Sequence, residues 1–188
     1  MTATTDAITT YKWTIDRYHQ AIDAGIFEGQ AIELLKGELV QMSPEGIADA
    51  GLSSNGADYL REMLGSQVKV REAKPITLPN DSEPEPDIAI VQPIPEIYTT
   101  TRHPNVDDIF WVIEYSNTSL LKDLEFKYQI YAEAGIMEYW VINLKTRELI
   151  IFRDPVNGDY RSEVSLSSGT IAPLAFPDIA LEIRKFIS

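Results

Sequence analysis

At 188 residues the chain is long enough for one domain with a real core and too short for two comfortable ones. Its 44% apolar and 24% charged residues are ordinary for a soluble globular protein, and the lack of cysteine excludes a disulfide framework or thiolate metal site. The net charge of −13 (pI about 4.5) counts against nucleic-acid binding, which usually relies on a basic footprint, without excluding a local basic groove on an acidic body.

No apolar run approaches the roughly 20 residues of a membrane span. The opening Met1-Thr2-Ala3-Thr4-Thr5-Asp6 lacks the regions of a signal peptide, so a cytoplasmic protein with no membrane partner is expected. Residues 1–10 read as a flexible lead, and 11–188 as a single domain. Thr14 is placed to cap a first helix, in which Tyr18, Ile22 and Ile26 recur every four residues. Ile32-Glu33-Leu34-Leu35, a Lys36-Gly37 turn and Glu38-Leu39-Val40-Gln41-Met42 read as a β-hairpin. Ser43-Pro44-Glu45-Gly46 breaks the pattern before a helix with Ala48, Leu52, Tyr59, Leu60 and Met63 inward, and a strand near Val68 to Arg71 follows. The acidic, proline-broken stretch 79–86 is a loop that delivers Asp87 to the strand Ile88-Ala89-Ile90-Val91. The segment 92–108, with three prolines, Arg102 and His103, is long for a connection, and such loops often carry function.

The centre is clearest. Strand 109–115 leads through Ser116-Asn117-Thr118-Ser119 into a helix whose stripe is Leu121, Leu124, Tyr128, Tyr131 and Gly135. Strand 138–143 then completes a right-handed βαβ unit. Leu149-Ile150-Ile151-Phe152-Arg153 returns antiparallel, Asn157-Gly158 marks another hairpin, and 179–183 alternates like an edge strand. The fold class is α/β (α+β), with added hairpins.

Glu114 ends the apolar run Ile109-Phe110-Trp111-Val112-Ile113-Glu114, where an uncompensated buried carboxylate costs about 3–5 kcal/mol. Alternation puts Phe110, Val112 and Glu114 on one side of their strand, and Asp87, Ala89 and Val91 on one side of theirs. Antiparallel pairing then brings Asp87 and Glu114 to one sheet end. Hard oxygen ligands of this kind suit Mg²⁺ or Mn²⁺ and an activated water. Lys127 on the next helix flanks the apolar stripe and can reach them, with Asp123 one turn earlier. The competing reading is an Asp123–Lys127 surface pair worth a few tenths of a kcal/mol. His19 reads as ordinary surface and His103 as a solvated loop residue. Neither belongs to a histidine cluster, so a zinc hydrolase site is not expected.

With these residues in view the chain resembles the Uma-type ("Uma-two") restriction endonuclease family, a branch of the PD-(D/E)XK nuclease superfamily. The likeness runs from about Trp13 to the C-terminal strand. It rests on Ile32-Glu33-Leu34-Leu35-Lys36-Gly37-Glu38, Met42-Ser43-Pro44, Glu83-Pro84-Glu85-Pro86-Asp87 and Val112-Ile113-Glu114-Tyr115-Ser116, then on Asp123-Leu124-Glu125-Phe126-Lys127 and Tyr131 through Ile142. The resemblance implies a restriction-endonuclease-like mixed β-sheet flanked by helices and a metal-dependent phosphodiesterase site. Asp87 matches the PD aspartate and Glu114 the D/E position. The superfamily's lysine position is occupied by Ser116, so Lys127 would substitute for it. A histidine that the family tends to show after its Ser-Pro is matched here by Asp49.

These features point first to a Mg²⁺- or Mn²⁺-dependent endonuclease acting on DNA. Asp87 and Glu114 hold the metal, while Lys127 orients or deprotonates the attacking water and stabilises charge on the phosphate. Glu38, Asp49 and Asp123 are outer candidates. A homodimer is expected from the two strands of the substrate and the exposed edges. The alternatives are a nuclease-fold interaction module without efficient chemistry, favoured by the acidic charge and Asp49, and a hydrolase of another phosphate ester.

Overall fold

Alternation, capping and turn chemistry carry the chain from one element to the next. The structure is a computed structural model that describes residues 9–42, 46–116 and 122–188, with side chains described for all of these except 47–49 and 122–125. Thr14 caps the helix Ile15–Asp23 (α1), its side chain accepting from the Arg17 N–H at 3.4 Å. Ile32–Leu35 (β1) and Glu38–Gln41 (β2) form the first hairpin. Its turn residues Lys36 and Gly37 have φ of 50° and 73°, the left-handed pair that two-residue hairpin loops require. Ile47–Leu64 (α2) leads to Lys69–Glu72 (β3) and Ile88–Val91 (β4). The long 92–108 connection contains a short helix, Pro95–Thr100 (α3), with proline at the position where its missing N–H costs nothing.

Ile109–Ser116 (β5), Lys122–Ala134 (α4) and Glu138–Asn143 (β6) form the βαβ unit, the two strands running parallel. Glu148–Val156 (β7) and Asp159–Leu166 (β8) follow as an antiparallel hairpin turned by Asn157 and Gly158. Thr170–Ile171 (β9) pairs with Leu181–Glu182 (β10), and Arg184–Ile187 (α5) ends the chain.

The main sheet has six strands in the order β3-β4-β5-β6-β7-β8, antiparallel except at β5–β6. Both faces are covered, which is why β6 is buried at every position. On one face Ile88, Ile90, Trp111, Ile113 and Trp140 pack with Leu60 of α2 and Phe186 of α5. On the other, Ala89, Val112, Tyr139 and Val141 pack with Ile130 and Tyr131 of α4 and Leu35 of the first hairpin. The expected mixed sheet flanked by helices is what the chain forms. No helix among the described residues is long and apolar enough to cross a membrane.

Several local expectations fail for identifiable reasons. The β4–β5 register skips Phe110, since Ile90 faces Trp111 and Val91 faces Ile109. That bulge turns Phe110 away from the Val112 face and onto Phe176, 5.2 Å between ring centres. Ile22 and Ile26 are exposed, because α1 ends at Asp23 and buries only Tyr18 and Ala21. Met63 is exposed as well, because Leu64 takes the inward place after Leu60. The 179–183 segment pairs over only two residues before α5 begins. Most of the expected N-terminal lead, the Ser43-Pro44-Glu45 break and the Asn117–Ser119 connection lie outside the described residues, as do the side chains of Ala48, Leu121 and Leu124.

Candidate active site

Asp87 and Glu114 meet across the β4–β5 ladder. Ile88 pairs with Ile113, so the residues just beyond them face each other on the α4 side of the sheet. Asp87 Oδ2 accepts the Tyr115 N–H at 2.5 Å, a bond that fixes the loop end of β4 against the loop end of β5. Lys127 reaches in from the second turn of α4, and its Nζ donates to Glu114 Oε1 at 3.0 Å. Tyr131, one turn further along the same helix face, donates its hydroxyl to that same oxygen at 2.7 Å.

A third carboxylate completes the cluster. Glu33 lies 3.4 Å from Lys127 Nζ, and its Oε1 also accepts the Glu85 N–H at 2.7 Å. The reason lies in how the first hairpin docks. The Lys36-Gly37 turn is pinned to the 79–87 loop: Lys36 N–H donates to Ser82 Oγ at 2.9 Å, Gly37 N–H to the Asp81 carbonyl at 2.9 Å, and Glu83 N–H to the Leu34 carbonyl at 2.6 Å. Leu34 is thereby buried on one side of β1, while Glu33 and Leu35 face α4.

Burial raises Glu114 to about 7, with Asp87 and Glu33 adding to the rise and Lys127 and Tyr131 opposing it. Burial alone would lower Lys127, yet Glu114, Glu33 and Asp87 together hold it above its usual value. Burial and the neighbouring carboxylates thus act in the same direction on Glu114, whereas on Lys127 the carboxylates override burial. Glu85 is also pushed upward, by burial first and by Glu33 among its neighbours. Among the described residues, Glu33 and Glu114 both pair with Lys127, and Asp87 adds its charge to theirs. Such an all-oxygen donor set fits a hard divalent cation.

The outer candidates divide. Glu38 is exposed and pairs with Lys12 at 2.5 Å, away from the cluster. The side chains of Asp49 on α2 and Asp123 on α4 lie outside the described residues. Lys127 itself is no surface residue: its described partners are Glu114 and Glu33. Glu33 carried the same signal as Glu114, a carboxylate inside an apolar run, Ile32-Glu33-Leu34-Leu35, and could have been found by it. Tyr131 had none beyond its place in a core stripe.

The histidines also differ from expectation. His19 Nε2 lies 2.8 and 2.9 Å from the two carboxylate oxygens of Glu83, which also accepts the Thr77 hydroxyl at 2.7 Å. The His103 ring stands edge-on to His19 with 6.2 Å between centres. Burial holds His103 below its ordinary value, against the pull of Glu83. The two histidines are therefore neighbours around one buried carboxylate, brought together by α1 and two loops that sequence spacing does not connect.

No curated protein matches the chain. Among solved structures, a putative nuclease of the DUF820 group from Anabaena variabilis superposes with a TM-score of 0.65 at 14% identity, covering 82% of this chain and 88% of that one. At that identity the likeness establishes the fold alone. Residues 15–184, nearly the full span of the domain, match the Uma2 family, described as putative restriction endonuclease, and the chain belongs to that family.

Proposed function

We propose that the protein is a metal-dependent endonuclease that hydrolyses phosphodiester bonds in DNA, with Mg²⁺ or Mn²⁺ held by Asp87 and Glu114 and assisted by Glu33. The observation that carries this reading is the gathering of Glu33, Asp87 and Glu114 near the ammonium of Lys127 at one end of the sheet. When bound, a divalent ion supplies Lewis-acid polarisation of a phosphoryl oxygen. Both contacts from Lys127 and Tyr131 fall on Glu114 Oε1, so Oε2 is the oxygen with which Glu114 would hold the ion. Tyr131 positions the carboxylate.

Sequence allowed Lys127 two roles, base or charge stabiliser. Its carboxylate neighbours hold Lys127 above its usual value, which favours orienting the attacking water and stabilising charge on the phosphate as its roles. The membership in a restriction endonuclease family supports nucleic acid as substrate. A homodimer fits the need to cut two strands; a monomer mass by sedimentation at micromolar concentration counts against it.

Supercoiled-plasmid nicking tests the reading. Activity is expected with Mg²⁺ or Mn²⁺, none with EDTA, and none for Asp87→Ala. A parent protein inert with both ions, or an Asp87→Ala variant that nicks as fast as the parent, refutes it. Mn²⁺ should also raise the melting temperature of the parent, since an ion that binds only the folded state stabilises it by mass action. An equal rise in Asp87→Ala would move the ion elsewhere.

A further inference from the structure

We propose that His19, Glu83 and His103 form a second metal site, one for a single borderline divalent ion of the Zn²⁺ class. It is distinct in ligand chemistry from the carboxylate cluster and independent of the nuclease reading. One donor atom from each of the three residues lies within 4.8 Å of the other two. Ligands of a tetrahedral Zn²⁺, each about 2.0–2.1 Å from the metal, stand about 3.4 Å apart, so closure needs movements of roughly an ångström. His19 Nε2 and the Glu83 oxygens are already at 2.8 and 2.9 Å.

The surroundings have the marks of a site that is held in place. Glu83 is almost wholly buried, at 2% exposure, and its carboxylate is oriented by the Thr77 hydroxyl, the kind of outer contact that fixes a metal ligand. Thr77 also donates its N–H to the Pro104 carbonyl at 2.8 Å, which holds the backbone next to His103. The Tyr18 hydroxyl donates to the Ile32 carbonyl at 2.7 Å, anchoring α1 one residue before His19. His103 Nδ1 is buried with no hydrogen-bond partner among the described residues, an unsatisfied group of the sort that calls for an ion, a water or a functional explanation. The His19 side chain is 42% exposed, which gives an ion a path in and leaves room for water as fourth ligand.

Two imidazoles and one carboxylate are softer than the oxygen-only set around Lys127, and imidazole donors favour Zn²⁺ over Mg²⁺. Binding displaces the proton that His19 Nε2 now shares with Glu83. The ion would clamp α1 and the loop before β5 onto the same loop that presents Glu85 and Asp87.

The test is Zn²⁺ titration of the EDTA-stripped, dialysed full chain by calorimetry, with Co²⁺ absorption as the spectroscopic probe. The parent and Asp87→Asn should each retain this site, showing the intense visible bands of low-coordinate cobalt. His19→Ala and His103→Ala should each weaken Zn²⁺ binding at least about tenfold and lose those bands. His103 is half-buried; should its variant fail to fold, His19→Ala, altered on the exposed side of α1, decides alone. Absence of Zn²⁺ binding in the parent, or a folded His19→Ala that binds as the parent does, overturns the proposal. So does loss of the cobalt bands in Asp87→Asn with their retention in His19→Ala. Because no readout is DNA cleavage, an inert nuclease site leaves this result intact, and the reverse also holds.

Discussion

Replacing Glu114 with Gln removes a titratable group that the fold holds near neutrality while keeping its size and its ability to accept from Tyr131. A value raised from 4.5 to about 7 means that the folded state binds this proton more tightly than the unfolded chain. The associated stability is therefore fully present below pH 4.5 and is lost as pH rises through 7. At about 1.4 kcal/mol per unit the full effect is about 3 kcal/mol, most of which falls between pH 5 and pH 8. Urea denaturation of parent and Glu114→Gln at those two pH values, both in EDTA, measures it. His103, held low by burial, contributes a slope of the opposite sign, stability lost as pH falls, and the parent-minus-variant difference cancels it. Lys127, raised from an already high value, stays charged throughout the window. The parent's advantage over the variant should shrink by about 2–3 kcal/mol from pH 5 to pH 8. A difference that stays level within about 0.5 kcal/mol would show that Glu114 is ionised in the folded protein at pH 5, and the account of an overcrowded carboxylate cluster would fall.

Lys127→Ala should lower stability by about 3–5 kcal/mol at pH 8, because it strands buried carboxylates, and less at pH 5, where protonation relieves them. The same change should slow nicking about 10²–10⁴-fold; a variant as stable and active as the parent would restore the surface-pair reading of this lysine. Tyr131→Phe removes a donor from the buried Glu114 oxygen and should cost about 1–3 kcal/mol in urea denaturation, with an unchanged stability counting against that bond. Gly56→Ala places a methyl group onto the buried Tyr115 hydroxyl, and the overlap should outweigh the roughly 1 kcal/mol that alanine gains in helix propensity, giving a lower melting temperature.

The sheet was legible because its centre is written in continuous apolar runs and its turns in residues that tolerate positive φ. Ile109–Tyr115 and 138–143 can hardly be anything but strands buried on both faces, and Lys36-Gly37 and Asn157-Gly158 name their own turn type. What could not be read was anything set by docking between distant segments. The bulge that reverses Phe110 depends on how β4 meets β5, and no local pattern encodes it. The pairing of His19 with Glu83 spans 64 residues and arises only once α1 lies against the hairpin and its loop. Glu33 was visible by the apolar-run signal but gains its meaning from the hydrogen bond to Glu85, which fastens β1 beside Asp87.

That signal is also ambiguous by itself, as Glu138 makes plain. It opens an apolar strand as Glu114 closes one, and both are buried. Glu138 accepts from Arg153 at 2.6 and 2.9 Å, from the Trp140 indole at 2.8 Å and from the Leu174 N–H at 2.7 Å. A dedicated guanidinium and two further donors satisfy both of its oxygens, so its burial is explained by structure alone. Among the described residues Glu114 has no guanidinium of its own: it shares the Lys127 ammonium with Glu33, faces Asp87 across the ladder, and takes both described bonds on a single oxygen. A fold that needed only stability would have neutralised the second carboxylate as it neutralised the first. That difference at Glu114, at the loop end of two strands and beside a lysine it shares, is what supports the proposed cation site there over a buried ion pair that only holds the sheet together.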